Sequence, residues 1–353
     1  MILLASLLLL AGPARVEHAD LRSQSASSGL AATYRALASR QTAPAWIGWA
    51  VPMAGDHHRC CYGSMDALKE SPCAGRCFLE DEYRNFNIVQ SDGGDCVERG
   101  GAAALLVLLR VENGETQRLR TFTSDCTLDA GGLPLFWLTD ARPAESVALL
   151  EGLAGDPALE RKKHAHRGEP ALGAIALHDD TSADAALERF VAPARPLEVR
   201  KQAVFWLGNA RGRRGYEVLA ALAGKEESEE LRRHIPFALS QSREPEAVET
   251  MIVMARQDGS AGVRGQALFW LAQKAGKKAA ATIGNAIRDD PDAEVKKRAV
   301  FALSQLPKDE GIPELIRVAR TNRNPEVRKK ALFWLGQSKD PRALDFMEEI
   351  LTR

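Results

Sequence analysis

The chain has 353 residues, of which 45% are hydrophobic and 27% charged, with 47 basic and 47 acidic side chains. That length is more than one ordinary core fills and predicts about two domains of normal globular composition. A formal net charge of zero excludes any argument from whole-chain charge for a nucleic-acid or membrane partner.

Charge is unevenly divided. Residues 195–353 hold 29 Lys and Arg against 22 Asp and Glu, whereas residues 1–194 hold 18 against 25. A mildly acidic half and a mildly basic half either attract one another or a polar partner, or are two solvated surfaces. At the start, Ile2 to Ala11 form an apolar run followed by Gly12, Pro13 and Ala14. A membrane span needs roughly twenty such residues. The shorter run followed by small residues has the pattern of a secretory signal peptide, residues 1–14, cut after Ala14 or else near Ala19. No Lys or Arg precedes the run, and no Cys follows it to take a lipid. The expected location is periplasmic or secreted, with no membrane span.

The next segment, 20–142, reads as a small β-rich domain. Leu30 to Leu37 favour a helix, and Ala45 to Val51 read as a strand ended by Pro52. All six cysteines of the chain fall here: Cys60, Cys61, Cys73, Cys77, Cys96 and Cys126. An even number confined to one segment of an exported chain reads as a disulfide framework, for which six cysteines permit 15 pairings. The expected arrangement joins Cys60 and Cys61 to Cys73 and Cys77 in some order, and Cys96 to Cys126. The alternative is a metal site on His57, His58, Cys60, Cys61, Cys73 and Cys77. Adjacent cysteines and a Cys-x3-Cys step are not the usual zinc-knuckle spacing, so disulfides are expected and no metal. Further on, Ala104 to Val111 and the alternating Thr116 to Thr123 flank Asn113-Gly114, a hairpin signal. Asp129 to Gly132 form a second turn into the strand Leu135 to Leu138, and a helix follows over about 144–153. Together these predict an antiparallel sheet of three to five strands pinned by disulfides.

From 143 to the end the chain is expected to be a helical solenoid. Five gap-free copies, each 32 residues after the last, begin at Glu198, Glu230, Gly262, Glu294 and Glu326. Each carries an aliphatic residue, a basic residue, a small or aliphatic residue four positions after the first (Ala203, Ile235, Ala267, Ala299, Ala331), and a leucine (Leu207, Leu239, Leu271, Leu303, Leu335). A worn sixth copy lies at about 167–194, where Ala171 to Ala176 match Ala203 to Gly208. The spacing predicts a helix, a short turn and a second helix per copy. Ser228, Ser260, Asp292 and Asn324 stand at the N-cap column, and Pro196 breaks it. In the last copy Val327, Ala331, Trp334 and Leu335 are predicted to face a second helix through Leu344, Met347 and Leu351. One pair cannot bury its face alone, so neighbours must stack.

The column of [VL]-[RK]-x-x-A-x-x-x-L with polar caps resembles the bacterial HEAT-like repeats of the phycobilin-lyase type, over about residues 167–353. The resemblance implies an α-helical solenoid that serves as a binding scaffold. Among enzymatic relatives, deoxyhypusine hydroxylase holds iron on His-Glu pairs; this chain has no His-Glu dipeptide, and after His178 its repeats contain only His234. No residue demands a tetrapyrrole, so no cofactor is expected.

Several columns could carry binding. Phe205, Phe237, Phe269, Phe301 and Phe333 recur away from the core face. They read as contacts between repeats, or as a stripe that takes an apolar segment of a partner. Trp206, Trp270 and Trp334 alternate with Ala238 and Ala302, which suggests a 64-residue unit packed large against small. Arg200, Arg232, Arg264, Lys296 and Arg328 begin a basic ridge continued by Lys201, Arg233, Lys297 and Lys329; the first of each pair should bridge to acids, and Arg232, Arg233, Lys297 and Lys329 are kept as candidate partner contacts. Asn209, Gln241, Gln273, Gln305 and Gln337 form an amide column expected to be structural. The expectation is therefore a multidomain α+β protein: a disulfide-bonded β-rich domain followed by the solenoid. It would be a non-enzymatic exported scaffold for a protein or peptide, not for nucleic acid, with a homodimer through the C-terminal repeat left open and no catalytic residues. The alternative is a metal-dependent module or enzyme at the His57–Cys77 cluster.

Overall fold

The computed structural model describes residues 15–55, 57–62, 76–80, 86–92, 104–154 and 168–352, with no side-chain detail for 57, 58, 61, 62, 86–92 and 168–170. The signal-peptide reading of residues 1–14 and the side chains of His57, His58, Cys61, Cys73 and Cys96 lie outside what is described. The chain divides into two compact units, Met1–Phe190 and Val191–Arg353. No described helix is long and apolar enough to cross a membrane.

The first unit opens with strands β1 (Arg15–Glu17) and β2 (Asp20–Ser25), helix α1 (Leu30–Ala38), and strand β3 (Ala45–Pro52). Then come β4 (His57–Tyr62), β5 (Arg76–Phe78), β6 (Phe86–Asp92), β7 (Ala104–Glu112), β8 (Glu115–Thr123), β9 (Thr127–Asp129) and β10 (Pro134–Thr139). Helices α2 (Pro143–Ala154), α3 (Gly168–Ala176) and α4 (Thr181–Val191) follow, the last reaching one residue beyond the unit. The main sheet has the order β2-β10-β3-β7-β8. The hairpin β7–β8 turns at Asn113 and Gly114, with φ of 51° and 76°, as the Asn-Gly signal predicts.

The sheet is mixed, which corrects the antiparallel expectation: β10 runs parallel to both β2 and β3, and only β3–β7 and β7–β8 are antiparallel. The cause is α1. A helix between β2 and β3 carries the chain back to the same end of the sheet, and strands joined in that way run parallel. Leu30, Tyr34 and Leu37 of α1 are buried, and the Glu145 carboxylate of α2 accepts from the free Leu30 N–H at 3.1 Å. On β3, Trp46 belongs to a buried cluster with Leu106, Leu108, Phe122, Leu135 and Trp137. Trp49 is also fully buried and donates its Nε1–H to Ser146 of α2 at 2.8 Å.

Cys60 and Cys126 are joined, with Cα atoms 5.6 Å apart, which corrects both pairings expected for them. The Thr123 hydroxyl bonds the Arg59 backbone at both N and O, 3.2 Å each, and so pulls β4 against the end of β8. The turn Thr123–Cys126, closed by Cys126 N–H to Thr123 O at 3.1 Å, then places Cys126 beside Cys60. Tertiary packing brings together residues 66 apart, whereas the expected pairs were chosen for nearness in sequence. Cys77 is also disulfide-bonded, and its sulfur lies within 4.8 Å of the other two, all three buried.

In the second unit each repeat is a helix pair: α5 (Leu197–Ala210) with α6 (Gly212–Lys225), α7 (Glu229–Arg232) and α8 (Ile235–Gln241) with α9 (Glu246–Gln257), α10 (Ala261–Ala275) with α11 (Lys277–Asp289), α12 (Ala293–Ser304) with α13 (Lys308–Thr321), and α14 (Pro325–Gln337) with α15 (Pro341–Leu351). The second repeat's first helix is split in two because Pro236 has no N–H for the Arg232 carbonyl. Ser228, Ser260, Asp292 and Asn324 each accept from the first turn that follows, and Pro196 does not. A methyl at Gly208 would fall 2.1 Å from Ala238 O, so glycine there lets α8 close on α5. In the last copy Val327, Ala331 and Leu335 are buried as expected. Its second helix, however, buries Ala343 and Phe346 and leaves Leu344 57% and Leu351 81% exposed. Asp340 caps that helix and starts it with Pro341, and the resulting phase turns Phe346 inward.

A non-reducing peptide map should therefore yield a linked pair of peptides containing Cys60 and Cys126; recovery of Cys96 on the Cys126 peptide would disprove the pairing. Replacing both Cys60 and Cys126 by Ser should lower the stability of this unit by about 2–4 kcal/mol, read from urea unfolding.

Candidate functional site

The first helices of the five repeats form one face. Their aliphatic columns point inward, and the next residues round each helix carry the aromatic rings. Phe205 stacks on Phe237 with centroids 5.6 Å apart, and Phe269 on Phe301 at 5.5 Å. Phe237 then meets Trp270 at 4.6 Å and Phe301 meets Trp334 at 4.8 Å. Edge-on pairs Phe205–Trp206, Phe269–Trp270 and Phe333–Trp334, at 5.1, 4.9 and 5.1 Å, complete an unbroken chain of rings from Trp206 to Phe333. Such offset and edge contacts suit the ring quadrupole and add about 0.5–1.5 kcal/mol per pair beyond burial. The Phe column thus joins neighbouring repeats. Phe205, Phe237, Phe269 and Phe301 are half-buried, and Phe333 is 51% exposed.

The basic ridge separates into two functions. Arg200, Arg232 and Arg264 reach acids at the end of the second helix of their own repeat. Arg200 meets Glu226 at 2.5 Å and Arg232 meets Asp258 at 3.0 Å. Arg264 binds both oxygens of Asp290, at 2.7 and 2.9 Å, and both residues are 9% exposed. Arg264 also donates to Asp258 O at 2.9 Å, tying each repeat to the one before it. Asp290 raises the Arg264 pKa chiefly through this hydrogen bond. The same acids accept from the N-cap residue's own N–H: Glu226 from Ser228 at 2.9 Å, Asp258 from Ser260 at 2.8 Å, and Asp290 from Asp292 at 2.9 Å. In the fourth repeat Lys296 donates instead to Arg288 O at 3.0 Å. Arg232, a candidate contact, is therefore held by Asp258.

The outer residues form a ladder along the face. Lys201 bridges Glu198 at 2.8 Å and Glu230 at 2.6 Å; hydrogen bonds to these two acids raise its pKa, and Lys201 lowers that of Glu230. Lys297 pairs with Glu294, and Lys329 is exposed. Lys330 lies 5.1 Å from the Phe333 ring centroid and 5.5 Å from that of Trp334. Between the second and third repeats Glu230, Arg233, His234, Phe237, Gln266 and Trp270 line an open hollow of about 410 Å³. His234 is pushed below the ordinary imidazole value, by burial first and then by Lys201. In the amide column, Gln273 donates to Gln305 at 3.2 Å, whereas Gln241 and Gln305 donate to Ser240 and Ser304.

Two further groups in the first unit bear on chemistry. The sulfurs of Cys60, Cys77 and Cys126 are near enough to share an ion, but bonded as disulfides they offer no thiolate, the form that binds metal. Sequence reading missed a Ser146–His178 couple, Oγ to Nε2 at 2.8 Å, because its members lie on different helices and loops. Both are 0% exposed, His178 Nδ1 donates to Ala174 O at 2.7 Å, and Trp49 occupies the Ser146 oxygen. The couple ties α2 to the turn after α3 inside the core, where no substrate reaches it.

Residues 183–272 and 280–353 match the family model for HEAT repeats. None of the curated proteins compared with this chain matches it. Among solved structures, human deoxyhypusine hydroxylase is 15% identical, covering 57% of this chain and 81% of its own, with a TM-score of 0.31. The Escherichia coli protein YibA is 22% identical, covering 54% and 71%, with a TM-score of 0.36. The CpcE–CpcF phycocyanin lyase of Nostoc is 14% identical, covering 59% and 81%, with a TM-score of 0.30.

Replacing Arg264 by Ala should lower stability by about 3 kcal/mol, because it strands a buried Asp290. Asp290→Asn should cost less, since the amide oxygen can still accept from Asp292. Equal stability of R264A and the parent in urea unfolding would show that the bridge contributes nothing. Residues 183–353 of this chain are a HEAT-repeat array.

Proposed function

We propose that the protein is a non-enzymatic, exported scaffold, built of 32-residue helix pairs, that binds a protein or peptide through the first-helix face of its repeats. The observation that carries this reading is the hollow at Phe237 and Trp270, where half-buried rings stand open to solvent beside Glu230, Arg233 and His234. A concave site with an apolar wall and a few oriented polar groups is the form in which a surface recognises an extended segment. Stacked repeats repeat such surfaces at fixed intervals, which suits long partners. Export is supported by the apolar run at Ile2–Ala11 and by oxidised cysteines in the first unit. The sealed Ser146–His178 couple and the oxidised sulfurs support a binding role over a catalytic one.

Protein recovered from the cell envelope should have the mass of the chain cut after Ala14 or near Ala19. None of its cysteines should alkylate before reduction. A stoichiometric metal released on unfolding, with cysteines that then alkylate freely, would move the function to the His57–Cys77 cluster instead.

A photo-crosslinking residue placed at Gln266, in the hollow, should capture one discrete partner in the source cells. The same residue at Val253, 51% exposed on the second helix of the second repeat, should capture none. The same adducts from both positions, or none from Gln266, would overturn the face assignment.

A further inference from the structure

Three joints of the array are built alike: the second helix of one pair packs on the first helix of the next, α9 on α10, α11 on α12 and α13 on α14. The packing closes over an apolar column on the second helix. On α13, Ile312 is 4% exposed and Ala319 9%, and Leu315 between them is fully buried. In the pair α14–α15 the residues 32 positions later stand open: Leu344 is 57% and Leu351 81% exposed, and Met347 is half-buried. On the first helices the same contrast separates Val300, fully buried, from Leu332, half-buried, with Phe333 exposed beside it. Among the described residues six large apolar side chains are exposed, and four of them, Phe333, Leu344, Ile350 and Leu351, belong to this one pair. The face has the form of a joint and not of the polar cap that would seal a solenoid.

We infer that this open joint docks on the same joint of a second copy of the chain, about a two-fold axis that lies in the interface parallel to the helices. Charge selects both the occupant and the axis. Helix α14 presents Arg328, Lys329 and Lys330 against one acid, Glu326, and α15 presents Asp345, Glu348 and Glu349 against one base, Arg342. An axis along the helices sets α14 of each copy on α15 of the other, opposite charge on opposite charge. An axis across them would set α14 on α14 and α15 on α15, like charge on like. The heights agree as well. Joined by the short turn 338–340, α14 and α15 run antiparallel. Leu332 and Leu344 each lie about 10 Å from the end where α14 starts and α15 stops, at about 1.5 Å per residue. Lys329 and Glu348, both exposed, lie about 6 and 5 Å from it. The two-fold therefore sets Leu332 and Phe333 over Leu344 of the second copy and Lys329 beside its Glu348, and every contact occurs twice. Such a contact consumes both faces, so association stops at two copies. The interface is independent of the partner-binding hollow at Phe237 and Trp270, which lies on other repeats.

The test is light scattering on the full chain, after size exclusion, across a concentration series. Two short helices per copy make a contact at the small end of specific interfaces, so the dimer should half-form at about 10 µM. The mass should rise from one chain at about 1 µM to two at about 100 µM and no further. The double variant L344E/L351E changes two exposed side chains. It should remain a single chain at about 100 µM and keep, at about 1 µM, the circular dichroism and melting temperature of the parent. Lys329→Glu alone and Glu348→Lys alone should each weaken association about tenfold, because each sets like charges together twice. An equimolar mixture of K329E and E348K restores both opposite-charge contacts and should associate as the parent does. A single chain at every concentration, or a mass that keeps growing beyond two, would overturn the two-fold joint. So would a dimer that L344E/L351E leaves intact. Charge variants that both associate as the parent does, or a mixture no tighter than either variant alone, would overturn the placing of α14 on α15.

Discussion

A pair of short helices does not bury enough apolar surface to persist alone, so this array depends on how each pair is joined to the next. The join is the contact between rings on successive first helices. Phe237 is held between Phe205 and Trp270, and Phe301 between Phe269 and Trp334. The chain of rings has large side chains where Ala238 and Ala302 leave room, so a repeat with alanine in the tryptophan column alternates with one that has the ring. Glycine at 208 closes the helices further. In the first three repeats Arg200, Arg232 and Arg264 bind the acid at the end of the second helix, and that acid also holds the turn into the next cap.

These two joins explain what remains for function. Residues committed to them, such as Arg232, Arg264 and the inner edges of the phenylalanines, are not available to a partner. The surface left over is the outer rim: Glu230, Arg233, His234, Gln266, Lys297, Arg298, Lys329 and the open edges of the rings.

The first unit is stabilised in another way. A mixed sheet is covered by helices on the Trp49 face and, on the Trp46 face, by small strands carrying Cys60 and Cys77 and by the turn that holds Cys126. Those strands are short, and a cross-link between residues 66 apart removes much of the freedom the unfolded segment would have. The Ser146–His178–Trp49 hydrogen bonds complete that interior with every buried polar atom of the couple satisfied.

Whatever depends on neighbours along the chain was legible in the residues alone. The helix pairs, the caps at Ser228, Ser260, Asp292 and Asn324, the buried Leu and Ala columns and the Asn113-Gly114 turn all follow from local chemistry or from a short period. Whatever depends on residues distant in sequence was decided only by the tertiary structure. The parallel pairing of β10, the Cys60–Cys126 bond and the Ser146–His178 couple need the chain to return on itself, and no spacing encodes where it returns. The division of the basic ridge was half legible: the columns showed that the bases recur, but which of them find an acid depends on the reach from one repeat to the next.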